Sequence, residues 1–136
     1  IARERIVDIA GGFDISVFNT LRPTMYLQTD LSKYQWQMLC NPVQVFEFDF
    51  TQDIPKTAEE SFQLTPHNDG IAHAIAFWFD LLLSPEVTLS TSPGAPPTHW
   101  HQAVYTLPEP MEIKQNEPVR LFASHDQSKI TLSLDS

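Results

Sequence analysis

Positive charge is scarce in this sequence. Eight lysines and arginines stand against 17 aspartates and glutamates, giving a formal net charge of −9 and a pI near 4.7. Phosphates call for a surface of the opposite sign, so this balance excludes direct binding to nucleic acid or to an anionic membrane leaflet. Glycine is scarcer still: four residues leave no room for a glycine-rich phosphate or dinucleotide loop. No Gly-x-Ser-x-Gly elbow occurs either. The one cysteine, Cys40, precedes Asn41-Pro42 and reads as an incidental thiol in a turn, not a nucleophile. It leaves no disulfide framework and is compatible with a reducing, intracellular setting. No apolar run approaches the roughly 20 residues of a membrane span, so no membrane partner is expected. The opening Ile1-Ala2-Arg3-Glu4-Arg5 is too charged for a signal-peptide core and lacks an initial Met, which points to a piece of a longer chain.

What the sequence does have is enough apolar residue for one core: 42% of 136 residues, a one-domain length. Eleven prolines rule out a long helical bundle. Ala2, Ile6, Ile9 and Ala10 recur at helical spacing, predicting a helix over 1–10 that Gly11-Gly12 would close. Residues 13–40 mix apolar anchors with polar residues at no clear period and read as short helices and connections. From Val43 the period becomes two. Phe46, Phe48 and Phe50 alternate with Glu47 and Asp49, predicting a half-buried strand over 43–50. A short strand is expected over 61–64, and a central strand covered on both faces over 71–83. Further strands are expected to begin at Val87 and to run over 100–107, 119–123 and 129–135. In the last of these, Ile130, Leu132 and Leu134 point inward, and 125–128 is a hairpin loop before it. Seven or eight short strands predict a mainly β fold, an antiparallel β-barrel or sandwich with a short helical arm at the N-terminus.

Few residues offer chemistry by themselves. His99 and His101 share the side of a strand that a metal could use, with His73 or His67 as a third ligand. A single His-x-His pair without a further cluster gives no metal site, and His73 reads as a histidine satisfied by backbone within an apolar strand. Glu109, Glu112 and Glu117, set among Pro108, Pro110 and Pro118, read as a solvated acidic face in a loop-rich region and not as a glycosidase pair.

One segment stands out by residue order: Ser90-Thr91-Ser92-Pro93, then Thr98-His99-Trp100 and Gln102. It resembles the Thr-His-Trp loop of the protein arginine N-methyltransferases. His73-Ala74 running into Phe77-Trp78-Phe79, Gly12-Phe13-Asp14 and the closing Ile130–Leu134 resemble three further family segments in the same order. The resemblance implies the C-terminal β-barrel of such an enzyme, residues 41–136, preceded by a dimerisation-arm-like segment, residues 1–40. It implies that S-adenosylmethionine is bound by a domain not present here, and that the fragment alone is inactive. Trp100 and Thr98 would then bind the substrate arginine, and His99 would be the catalytic residue, pairing with a carboxylate of the absent domain and relaying a proton. Phe13, Ile15, Phe18 and Leu21 would form the interface of a homodimer or tandem-repeat pseudo-dimer. Arginine-containing proteins would be the substrates and a cytoplasmic or nuclear setting the location. His101 departs from the family, where Lys or Tyr is frequent. The alternative from the residues alone is a stand-alone β-sandwich that binds a ligand or protein through Trp100 and its proline-rich loop.

Overall fold

The computed structural model describes residues 26–135, together with the backbone at 9–10 and 13–14. Among the described residues the regular structure is one 3-10 turn, Leu31–Lys33, and ten strands: β1 (Ile9–Ala10), β2 (Phe13–Asp14), β3 (Leu27–Thr29), β4 (Ala58–Leu64), β5 (Gly70–Phe77), β6 (Asp80–Ser84), β7 (Val87–Ser90), β8 (Gln102–Ile113), β9 (Val119–His125) and β10 (Ile130–Asp135). They form four sheets, in the orders β1-β2, β10-β9-β4, β3-β8-β5 and β6-β7. The fold is mainly β and antiparallel, as expected, but none of these sheets closes into a barrel among the described residues. Two compact units divide the chain: Ile1–Trp36 with Ala76–Thr106, and Gln37–Ile75 with Leu107–Ser136.

The expected N-terminal helix is not shown. Its last two residues, Ile9 and Ala10, are extended and pair with Asp14 and Phe13. The sequence between these strands is Gly11-Gly12, a pair suited to a two-residue hairpin connection as well as to a helix stop. Ile15, Phe18 and Leu21 lie outside the described residues, as does the side chain of Phe13.

The second unit is organised around β9. Val119, Leu121 and Ala123 alternate inward at 6%, 4% and 2% exposure, and Leu132 of β10 joins them. Leu121 sits between Phe62 of β4 and Leu134 of β10. Removing a Leu side chain from water stabilises by about 1.5–3 kcal/mol, so this short inward row carries much of the unit's stability. The expected inward set Ile130, Leu132 and Leu134 is observed. The β9–β10 connection is Asp126–Lys129, one residue later than expected. Asp126 Oδ1 closes it by accepting from the Ser128 N–H (3.0 Å), the Ser128 hydroxyl (2.8 Å) and the Lys129 N–H (2.9 Å). Gln127 takes φ 68 between them.

Residues 43–50 form no strand, which corrects the reading from alternation. Phe46 and Phe48 do share one side, but they pack edge-on against the ring of buried His125, at 4.9 and 5.0 Å. Phe50 is 75% exposed. An Asx turn, in which Thr51 donates from N–H and hydroxyl to Asp49, takes the chain away from any ladder.

The apolar run 71–83 is two strands rather than one, broken at Trp78-Phe79. Nor is it covered on both faces: Ile71, His73 and Leu82 are exposed, so His73 is not a buried, backbone-satisfied histidine. In the first unit Tyr26, Phe77 and Tyr105 form an aromatic cluster with centroids 5.5–5.9 Å apart. Strand β8 is longer than expected and includes Pro108 and Pro110, so Glu109 and Glu112 stand on a strand and not in a loop. Its pairing with β3 covers Gln102–Val104 alone. Residues two apart in a strand direct their backbone groups to the same lateral side, so both prolines withhold their donors on one side of β8.

Candidate functional site

The Thr-His-Trp segment lies in the loop from Thr91 to His101, which joins β7 to β8 within the first unit. Its start is fixed by Thr91, 2% exposed. The Thr91 N–H donates to the Phe79 carbonyl (3.0 Å), and its hydroxyl both donates to that carbonyl (3.0 Å) and accepts from the Phe79 N–H (3.1 Å). One side chain thus satisfies both backbone groups of Phe79 where the 71–83 run breaks. Pro93 opens a turn closed by the Ala95 N–H on the Ser92 carbonyl (3.0 Å), and Pro96-Pro97 stiffen the chain leading to Thr98.

Thr98 organises the tip locally. Its hydroxyl accepts from the Trp100 N–H (3.1 Å) and donates to the Trp100 carbonyl (3.0 Å). Trp100 is therefore held by its backbone while its indole stays 52% exposed, edge-on to Phe79 at 6.0 Å. His99 and His101 are exposed beside it. The loop's end is fixed by Gln102, a buried side chain that bonds to Thr91 and to Leu31.

A groove open to solvent runs along this loop; Asp30, Ser32, Thr98, Trp100 and His101 are among its lining residues. Asp30 supplies a fixed negative charge there. Hydrogen bonding from the Ser32 hydroxyl (2.6 Å) does most to hold its carboxyl below the usual carboxylate range, with the Ser32 N–H, Lys33 and His101 adding to it. Lys33 Nζ stands 3.6 Å from the other carboxylate oxygen. An exposed indole and a carboxylate in one groove suit a cationic, planar side chain, for which an aromatic face is favourable by about 0.5–2 kcal/mol.

Other sequence candidates lead elsewhere. Among the described residues no three His, Cys, Asp or Glu side chains come together as a metal ion would require. Burial raises the pKa of the Cys40 thiol, which keeps it protonated and unreactive. Neither described glycine opens a cradle for S-adenosylmethionine: a Cβ on Gly70 would meet a Leu39 methyl at 2.7 Å, and Gly94 faces open space. Sequence reasoning missed Asp30, and it placed Thr91 and Gln102 in the motif-bearing segment without giving either a role. Each is a single polar residue without periodicity, so nothing in the sequence pointed to the bonds that join them.

Known proteins resemble this chain over most of its length. The family described as "Arginine methyltransferase oligomerization subdomain" matches residues 8–135. The chain is 32% identical over 115 residues to an arginine N(omega)-methyltransferase of Streptomyces achromogenes subsp. streptozoticus, covering 85% of this chain and 32% of that protein. It is 28% identical over 124 residues to protein arginine N-methyltransferase 9 of Mus musculus, covering 90% of this chain and 14% of that protein. The chain thus spans a third or less of the curated relatives it matches. A chain of the Trypanosoma brucei PRMT1 enzyme-prozyme heterotetrameric complex with AdoHcy superimposes with TM-score 0.76 at 26% identity, over 98% of this chain and 45% of that one. With the match running over nearly its whole length, the chain belongs to the arginine methyltransferase oligomerization subdomain family.

Proposed function

We propose that this chain is the C-terminal β portion of a longer arginine N-methyltransferase, where it forms one wall of the arginine pocket and makes contacts between subunits or tandem repeats. The observation that carries the reading is the exposed Trp100 indole, held by Thr98 in the family's motif beside the charged Asp30 groove. Residues 1–40 are assigned to the contacting arm, with Phe13, Ile15, Phe18 and Leu21 as its apolar anchors, and residues 41–136 to the domain bearing the loop, which completes a barrel in the assembled enzyme. The oligomeric description of the family and the heterotetrameric neighbour support the contact role. A cytoplasmic or nuclear location is proposed with it.

The donor chemistry belongs to S-adenosylmethionine, bound by a domain outside this chain. What these residues supply is orientation. The guanidinium of the substrate lies against Trp100, which restricts the direction of its nitrogen lone pair. Exposed His99 pairs with a carboxylate of the cofactor-binding domain and fixes the pocket wall at that point. The guanidinium is what the names of the two relatives share, one citing arginine and the other protein arginine, and protein arginine is the proposed substrate.

The test uses the full-length enzyme with arginine-containing peptide and with free arginine. Trp100→Ala is expected to lower kcat/KM about tenfold or more while leaving the unfolding midpoint in place. Kinetics equal to the parent with both substrates would remove Trp100 from the pocket. Calorimetry on the isolated chain is expected to show no S-adenosylmethionine binding, and saturable binding would overturn the assignment of that site to another domain.

A further inference from the structure

The loop that carries Thr98, His99 and Trp100 has eleven residues and no strand partner of its own, yet it must present an indole at a fixed place. Its two ends meet at one side chain. Gln102, 8% exposed, is the first residue of β8. Its Nε2 donates to the Thr91 carbonyl at 2.8 Å, and its Oε1 accepts from the Leu31 N–H at 3.0 Å. Thr91 is the residue that grips Phe79, the ring against which Trp100 packs. Leu31 begins the 3-10 turn Leu31–Lys33 next to Asp30, and its carbonyl accepts from the Trp36 indole N–H at 2.9 Å. The amide of Gln102 therefore ties the loop's end to its start, and both to the segment that holds the groove's carboxylate.

We propose that Gln102 is a positioning residue for arginine methylation, its side-chain amide holding the Thr-His-Trp loop shut so that Trp100 and Asp30 keep their places along one groove. This rests on the arginine-pocket reading above. The amide suits the task because one group offers a donor and an acceptor in opposite directions. Thr91 contributes a carbonyl and Leu31 an N–H, so neither a carboxylate nor an apolar side chain of the same length satisfies both. A buried carbonyl that loses its donor has no water to replace it, so the loop opens to find one.

The two halves of the amide can be removed separately in the full-length protein. Gln102→Met keeps the volume and removes both bonds. Gln102→Glu keeps an acceptor for Leu31 but sets a carboxylate against the Thr91 carbonyl until it is protonated. Amide hydrogen exchange reads the result without reference to activity. In Gln102→Met, the Leu31, Ala95 and Trp100 amides are expected to lose protection, about tenfold or more, while those of β9 and β10 do not change. In Gln102→Glu the Leu31 amide stays protected; Ala95 and Trp100 lose protection at neutral pH and regain it when the glutamate is protonated and can donate. Peptide kinetics should follow, with kcat/KM down about tenfold in Gln102→Met and S-adenosylmethionine affinity within about twofold of the parent. Should Gln102→Met not fold, the Gln102→Glu pair of pH values decides. Parent-like loop protection in Gln102→Glu at both pH values would overturn the proposal. Altered loop protection with unaltered peptide kinetics would show that Gln102 shuts the loop but positions nothing for the reaction, which also overturns it. An inactive parent enzyme would instead defeat the arginine reading, and the exchange pattern would stand by itself.

Discussion

The β10-β9-β4 sheet and the β6-β7 hairpin are both antiparallel, yet they are held by different means. Strand β9 is paired with β4 over 119–125 and with β10 over 120–125, and its inward residues are nearly sealed from solvent. The hairpin is a two-stranded sheet with Leu82 and Leu83 at 69% and 62% exposure. Two strands alone are marginal in water. Polar side chains make up the difference: Ser90 bonds to Asp80, Thr91 to Phe79, and Gln102 to Thr91. A ladder with a buried row resists change at any one polar residue and yields to lost volume. A clasped hairpin does the reverse, and the loop that presents Trp100 grows out of the clasped region.

That contrast can be broken at several points. The largest effect is expected at Leu121, where Leu121→Ala should lower stability by about 2–5 kcal/mol in chemical denaturation. A loss under about 1 kcal/mol would mean that β9 is not where the second unit keeps its stability. Next comes Thr91→Val, which preserves shape and removes the hydroxyl. It should weaken the hairpin base by about 1–3 kcal/mol, read as faster exchange of the Phe79 amide with β9 amides unchanged. Equal acceleration in both regions would erase the distinction between clasp and ladder.

A smaller effect belongs to Asp126 and is confined to acid. Bonds from the Ser128 hydroxyl and from the backbone of Lys129 and Ser128 lower its pKa from 3.8 to about 2. A carboxyl depressed on folding stabilises fully above its ordinary pKa, and that contribution disappears as pH falls through the folded value. Stability of the β9–β10 hairpin should therefore decline between about pH 4 and pH 2, and Asp126→Asn should remove that part of the decline in a circular-dichroism acid titration. An unchanged acid profile in the variant would assign the pH dependence to other carboxylates. The smallest effect is expected from Leu82→Ser with Leu83→Ser, within about 0.5 kcal/mol by thermal unfolding. A larger loss would reveal that these leucines are covered after all.

The same contrast separates what could be read in the sequence from what could not. In β10, Ile130, Leu132 and Leu134 were legible because the period of two is what a half-buried ladder imposes. The same period in Phe46 and Phe48 misled, since two rings can share a side by packing on His125 with no strand to pair with. The apolar run through Phe79 read as continuous because the break is enforced by Thr91, twelve residues away. The Thr98 and Trp100 loop was legible from residue order. Its fastening was not, because Gln102 acts through contacts separated by 11 and 71 residues.

Strand β8 carries a further consequence. Among the described residues it is the longest strand, and any stretch of it left without a neighbour would be a template for another chain to add to. Pro108 and Pro110 remove two donors from the same side of that stretch, leaving gaps in the row of hydrogen bonds that an incoming strand would need. Glu109 and Glu112 set like charges against any second copy arriving in parallel register. Two missing donors and two carboxylates thus disfavour the addition of a further strand along that stretch, in a chain whose family is described as an oligomerization subdomain.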